Sequence, residues 1–268
     1  MQRQPHVPVV LAIAGSDPSG GAGIQADIEA ITSMGCHAAP VITAVTVQDT
    51  CHVYGYTPMA AESVMEQARA VLEDMSVAAI KTGMLGSVAT VEAVHTVLMD
   101  YPRTPLVVDP VLVAGGGESL SEQAVADALT ALLFPLATVV TPNGHEARVL
   151  APEADCLEAC GMALLDHGPD FVLVTGGHEH EQTVVNRLFG NHRLLESFRW
   201  ERLPGEYHGS GCTLASAIAG LLAQAQEPFS AIHQAQQYTW ESLRHGYRLG
   251  HCQGLPNRLF WARTSEAE

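Results

Sequence analysis

Val9-Val10-Leu11-Ala12-Ile13-Ala14 runs without a break into Gly15-Ser16-Asp17-Pro18-Ser19-Gly20-Gly21-Ala22-Gly23 and then into Ile24 to Met34, which carries apolar residues at helical spacing and stops at Gly35. A short, continuously apolar run ending at glycine is the pattern of a parallel strand buried on both faces; a half-exposed antiparallel strand would alternate. Strand, glycine-rich turn and helix make a βα unit whose turn lies on the ligand side of an open sheet. The turn is not a dinucleotide fingerprint, because Ala26 takes the place of the third glycine and Asp27 follows it, and no Gly-Lys-[Ser/Thr] of a P-loop occurs.

The same unit repeats outward. Strands are predicted at 40–47, 77–82, 106–111, 137–143 and 171–175. Helices are predicted at 62–74, 87–99 with Ser87 as N-cap, 121–134, 155–167, 214–225 and 230–244. Segments 183–189 and 194–200 read as an antiparallel pair turning at Gly190-Asn191. The alternation predicts one α/β domain over residues 1–268, with a predominantly parallel central sheet and helices on both faces. A chain of 268 residues with 47% hydrophobic content and mean hydropathy of +0.12 can bury a core of that size.

A net charge of −16, with Lys81 as the sole lysine, argues against nucleic acid or an anionic membrane as partner, since both need basic surface. It also constrains chemistry: any phosphate bound here must be held mostly by backbone amides, helix ends and metal ions. No stretch reaches the ~20 apolar residues of a membrane span, and Met1 to Pro8 is unlike a signal peptide, so a cytoplasmic location is expected. The six cysteines are scattered, which fits reduced thiols better than a disulfide framework. Cys156 and Cys160 read as helix packing ahead of a zinc site, and His178-Glu179-His180 as a solvated loop.

Candidate site residues gather at predicted strand ends. His208-Gly209-Ser210-Gly211-Cys212-Thr213 precedes an almost uninterrupted aliphatic helix; it is either an anion hole built from amides and the helix N-terminus or a glycine-containing helix start. As an anion hole it would favour the Cys212 thiolate. Asp27 either faces a pocket or caps and solvates its helix. Gln48 offers paired donor and acceptor groups to a heteroaromatic edge, or is a loop residue. Met84 is either apolar wall or core filling. Asp109 at a strand end calls for a cation, with magnesium the natural candidate. Asn143 and Glu146, three apart, either share a hydrated metal or form a capping box. Gly115 to Gly117 has the composition of a lid, and residues 48–55 that of a mobile loop.

Ala14 to Asp27, together with Lys81-Thr82-Gly83-Met84-Leu85, Asp109-Pro110-Val111, Thr141-Pro142-Asn143-x-x-Glu146-Ala147 and His208 to Thr213, resembles the hydroxymethylpyrimidine and phosphomethylpyrimidine kinases, of the ribokinase superfamily. The resemblance spans nearly the whole chain in order. It implies a ribokinase-like three-layer αβα fold and transfer of the γ-phosphoryl group of MgATP to a hydroxymethylpyrimidine and then to its monophosphate. It places Gly15, Asp27, Gln48, Met84 and Val111 around the pyrimidine. Cys212 becomes the base, with the amides of Gly209, Ser210 and Gly211 holding phosphoryl charge. Asp109 and Glu146 organise Mg²⁺, while Asn143, Thr175 and Gly177 serve ATP. It also implies a homodimer. Relatives carry lysine where this chain has Thr175, a lost cation near the phosphates. The alternative on the same fold is a pyridoxal kinase, and a non-catalytic pyrimidine-binding protein is the alternative of another class.

Overall fold

The computed structural model describes residues 7–112, 119–176 and 182–262; the expected lid at 115–117 and the 178–180 loop lie outside them. The first βα unit forms as read: β1 (Val9–Ser16) has a fully buried interior and leads through the glycine turn into α1 (Gly23–Ser33). There follow β2 (His37–Gln48), β3 (Val53–Pro58), α2 (Ala61–Asp74), β4 (Val77–Thr82), α3 (Val88–Leu98), β5 (Leu106–Val108) and α4 (Ser119–Ala128). The rest of the chain supplies β6 (Val139–Val140), α5 (Gly144–Leu150), α6 (Leu157–Leu165), β7 (Phe171–Val174), β8 (Thr183–Gly190), β9 (Arg193–Glu201), α7 (Ser210–Ala223) and α8 (Pro228–Arg244). Ser87 caps α3 by accepting the Thr90 amide, as its hydroxyl predicts.

The nine strands among the described residues join one sheet in the order β3-β2-β1-β4-β5-β6-β7-β8-β9. The strands from β2 to β7 run parallel to their neighbours, and β3, β8 and β9 are antiparallel additions at the two edges. Because successive strand residues point to opposite faces, Leu11 and Ile13 join Val41, Ile80 and Val108 in a core covered by α2, α3, α5 and α6. Val10 and Ala12 join Ala79, Val107 and Leu173 in a second core under α1, α7 and α8. Three layers result, helices–sheet–helices.

The structure corrects three readings. Residues 48–55 are not simply a loop: β3 pairs back onto β2, with Gln48 opposite Val53. Its side chains are intermediate or exposed throughout, so it lacks the apolar periodicity that reveals a strand. The strands read at 106–111 and 137–143 are shorter than predicted, since turns and the α5 cap take over their polar ends. The cysteines are not all reduced, because Cys51 and Cys252 form a disulfide across a separation of 201 residues. It ties the β2–β3 turn to the segment after α8, where Gln253 also donates its amide to Thr50 O (3.2 Å). Cys156 and Cys160 are free; Cys160 is buried, as packing predicts, whereas Cys156 is exposed and caps α6 by accepting the Ala159 amide.

Closing so long a loop restrains the unfolded chain, so Cys51→Ser should lower unfolding free energy by about 2–5 kcal/mol. Denaturant titrations should give the wild type the same lower value once it is fully reduced. A wild-type midpoint unmoved by reductant would show that the bond does not form.

Candidate active site

In a parallel sheet every strand ends on the same edge, and here that edge collects the candidates. Gly15 lies at the end of β1, Gln48 ends β2, and Met84 follows β4. Asp109 and Val111 follow β5, Asn143 and Glu146 follow β6, and Thr175 follows β7. The chain order reverses between β1 and β4, the switch point at which open α/β sheets leave a crevice. Gly15 and Met84 meet there: a Cβ on Gly15 would sit 3.2 Å from Met84 Sδ. Met84 is 9% exposed, with its carbonyl bonded by Thr43 Oγ1 (2.5 Å), so it is largely core with one edge at the crevice. Gln48 and Val111 are half-buried.

The glycine turn is organised by Asp17, whose carboxylate accepts the amides of Ser19 (2.8 Å) and Ala22 (2.7 Å), the Ser19 hydroxyl (2.9 Å) and His208 Nε2 (2.9 Å). Through His208 it reaches the second glycine turn. There Gly209 precedes α7 at φ +81°, and a Cβ on it would fall 1.9 Å from Gly21 O, so both conformation and closeness demand glycine. Helix α7 begins at Ser210, several residues earlier than predicted, so Ser210, Gly211 and Cys212 lie in its first turn, where amides have no partner within the helix. Ser210 and Gly211 line a cavity of about 490 Å³ shared with Thr175, Trp200 and Gln236.

Behind this turn lies a cluster of charge. Lys81 is fully buried and binds Asp27 Oδ1 at 2.8 Å, with Asp109 Oδ2 at 3.7 Å. Ser216 Oγ also donates to Asp27 Oδ1 (2.7 Å). Asp27 is 0% exposed and neither caps nor solvates α1; Lys81 and Ser216 both bond its Oδ1, while its Oδ2 is buried without a hydrogen-bond partner. Asp109 Oδ1 is 3.9 Å from where a Gly211 Cβ would stand, while Asp109 Oδ2 is buried without a hydrogen-bond partner. Burial raises the Asp109 pKa, against the pull of Lys81. Burial, and then Asp109 itself, push Glu146 up to about 8. Two buried carboxyls held above their ordinary values, with Asp109 pushing Glu146 up and carrying an orphaned oxygen, are a donor set suited to a hard divalent cation.

Cys212 corrects an expectation. Its thiol donates to Asp109, and burial followed by the Asp109 and Asp27 charges pushes it up to about 12, overriding Lys81 and the Gly23 amide. The helix N-terminus does not produce a resting thiolate there, because desolvation and two acids outweigh it.

Asn143 and Glu146 resolve as a capping box. Asn143 Oδ1 accepts the amides of His145 (2.9 Å) and Glu146 (3.0 Å), and Glu146 Oε2 accepts the Asn143 amide (2.8 Å). The cap also aims Glu146 toward Asp109, so the two readings of this pair are compatible. Thr175 bridges to Asn143 and donates its amide to Pro142 O (2.9 Å); Gly177 lies outside the described residues. Sequence reasoning missed His208 as the partner of Asp17, and it missed Arg258 altogether. Asp49, Cys51 and His52 come within 4.8 Å of one another, but the sulfur is spent in the disulfide and Asp49 Oδ1 caps the turn through the Cys51 and His52 amides.

A mostly parallel sheet flanked by helices, with glycine turns at its carboxyl edge, is the architecture of the ribokinase-like small-molecule kinases. The structure superimposes on an ADP complex of Bacillus subtilis pyridoxal kinase with a TM-score of 0.88 at 27% identity, covering 97% of this chain and 100% of that one. It matches a phosphomethylpyrimidine kinase from Clostridium difficile 630 with a TM-score of 0.73 at 33% identity, covering 88% and 99%. In sequence, the chain is 40% identical over 261 residues to the hydroxymethylpyrimidine/phosphomethylpyrimidine kinase of Mycobacterium leprae, 94% of each chain, and 35% identical to that of Haemophilus influenzae, 96% and 99%. The phosphomethylpyrimidine kinase family model matches residues 17–257. The chain belongs to the phosphomethylpyrimidine kinase family. No helix among the described residues is long and apolar enough to cross a membrane.

Asp17 carries a pH signature. Burial opposes its charge, but the His208, Ala22 and Ser19 bonds prevail and hold its carboxyl below the ordinary value of 3.8. A depressed pKa stabilises the fold above the unfolded-state value and loses that contribution as pH falls through the folded one. Asp17→Asn should therefore cost roughly 1–3 kcal/mol at neutral pH, with the difference from wild type closing under acid. Thermal melts across pH check this; a gap that persists in acid would refute the charge's role.

Proposed function

We infer that this protein is an ATP-dependent hydroxymethylpyrimidine/phosphomethylpyrimidine kinase of thiamine biosynthesis, phosphorylating 4-amino-5-hydroxymethyl-2-methylpyrimidine and then its monophosphate. The observation that carries the reading is the approach of Gly211, in the first turn of α7, to Asp109, beside the cavity of about 490 Å³ that Ser210 and Gly211 line. An acceptor hydroxyl at the β1/β4 crevice and a nucleotide in that cavity would face each other across this turn.

Phosphoryl transfer is mostly positioning and charge stabilisation. The Gly209 to Cys212 amides hold charge developing on the transferred group, pre-aimed by the left-handed Gly209 and so needing little rearrangement. Asp109 and Glu146 hold Mg²⁺, which when bound offsets phosphate charge. Gln48 addresses the aminopyrimidine edge, and Gly15, Met84 and Val111 supply its walls. Asn143, Thr175 and Gly177 attend the nucleotide. Cys212 is the base that the family resemblance implies; its thiol must lose its proton before Sγ accepts that of the hydroxyl, a late proton movement that a loose transition state tolerates. With Thr175 at the lysine position of relatives, the amides and the cation carry more of the phosphate charge.

A pyridoxal kinase is the second reading, favoured by the TM-score of 0.88 to the Bacillus subtilis enzyme. Overall shape is shared between the two activities, whereas side chains choose the acceptor, and identity is higher to the pyrimidine kinases, at 33–40%, than to the pyridoxal kinase, at 27%. The exposed apolar residues Val45 (50%) and Val47 (63%) of β2 and Tyr54 (66%) of β3 support a homodimer, and the net charge of −16 argues against nucleic acid or an anionic membrane as partner.

Steady-state assays with the pyrimidine, its monophosphate and pyridoxal decide the matter: turnover of both pyrimidines, well above pyridoxal, is expected. Pyridoxal as the best acceptor would reverse the order of readings, and monophosphate without pyrophosphate would remove the second step. Cys212→Ala should lower kcat by about 10²-fold or more with an unchanged melting profile; near-normal turnover would assign the proton to another group.

A further inference from the structure

Arg258 heads the largest fully buried side chains at 2% exposure, and the reaction just described makes no use of it. A buried guanidinium needs acceptors, and all of those it finds lie on other segments. Nε donates to Thr213 Oγ1 (2.8 Å), Nη1 to Glu29 Oε2 (3.1 Å) and Gly20 O (3.4 Å), and Nη2 to Gly21 O. Thr213 Oγ1 passes the link on by donating to Gly209 O (2.8 Å). One planar fork thus grips the N-terminal glycine turn through two carbonyls and the first turn of α7 through Thr213. Gly21 O is also the atom that a Gly209 Cβ would strike, so the guanidinium sits behind the contact between the two turns.

We propose that Arg258 is a positioning residue for phosphoryl transfer: by pinning Gly20 and Gly21 to Thr213 and Gly209, it fixes the glycine turn on the acceptor side against the amides that receive the phosphoryl group. The proposal rests on the kinase reading. Lysine does not substitute, because a single ammonium cannot present coplanar donors to separate elements. Ground-state binding of pyrimidine and nucleotide depends on their own pockets, whereas transfer depends on the spacing between them, so the loss falls on kcat.

Arg258→Lys is expected to lower kcat by about 10²-fold, the scale of an ångström of misplacement, with KM for ATP and for the pyrimidine little changed. Amide hydrogen exchange at 209–212 should quicken, and millimolar guanidinium ion should restore part of the kcat of Arg258→Ala without affecting wild type. If neither variant folds, Thr213→Val, which severs the Nε link at nearly constant shape, should show the same kcat-selective loss. A lower melting temperature with kcat intact, or KM rising while kcat holds, would overturn the proposal. Wild-type protein inactive on every acceptor would sink the kinase reading instead, and exchange at 209–212 would still decide for or against Arg258.

Discussion

Two backbone turns touch where no side chain fits. Gly21 O and the α-carbon of Gly209 are so close that a single added carbon at Gly209 would land 1.9 Å from the carbonyl, and one at Gly21 would land 2.3 Å from the His208 ring. This contact joins the loop after the first strand to the helix that begins nearly two hundred residues later, and the edge of the sheet becomes a site because of it. The surrounding polar bonds serve the same contact. Asp17 folds the first turn and reaches His208 on the second, and Thr213 binds Gly209 O. Interior packing is dense and transmits strain, so the two α-carbons without substituents fix a geometry that neighbouring side chains then hold.

Charge is arranged as tightly as backbone. In a chain of net charge −16 the one lysine lies fully buried between Asp27 and Asp109. A buried ion pair is weak support for stability, since desolvation consumes much of its Coulombic gain; its value here is placement. Lys81 bonds one oxygen of Asp27 and lies 3.7 Å from Asp109 Oδ2, so each acid keeps one buried oxygen, Asp27 Oδ2 and Asp109 Oδ2, without a hydrogen-bond partner. The site is thereby biased toward a bound cation, and burial together with the Asp109 and Asp27 charges pushes the Cys212 thiol up.

Much of this was legible in the sequence because much of it is local. The Val77–Thr82 strand and the Ser87 cap follow from hydrophobic runs and hydroxyl spacing, and the parallel sheet follows from continuous apolar strands. Parallel strands then oblige Gly15, Gln48, Met84, Asp109, Asn143 and Thr175 onto one edge, which is why turn residues read one at a time converged on one crevice. What escaped is pairwise and distant. Lys81 and Asp27 are 54 residues apart, Asp17 and His208 191, and Arg258 and Gly21 237, and no periodicity marks such partners. The Cys51–Cys252 bond escaped because scattered cysteines carry no register. The β3 strand escaped because its two faces are about equally wet, which erases alternation. The Cys212 ionisation was misjudged because the helix end is visible in sequence and the two acids beneath it are not.

The burial of Lys81 has a chemical consequence for handling the molecule. With 0% exposure at its one ε-amine, the folded chain presents an acylating reagent with no lysine on its surface. Isopeptide attachment to lysine, crosslinking through a lysine amine and lysine-directed proteolysis find their substrate only when the central strand β4 comes free of its neighbours. Acylation at Lys81 therefore works as an internal clock for opening of the core, read at one residue by mass spectrometry.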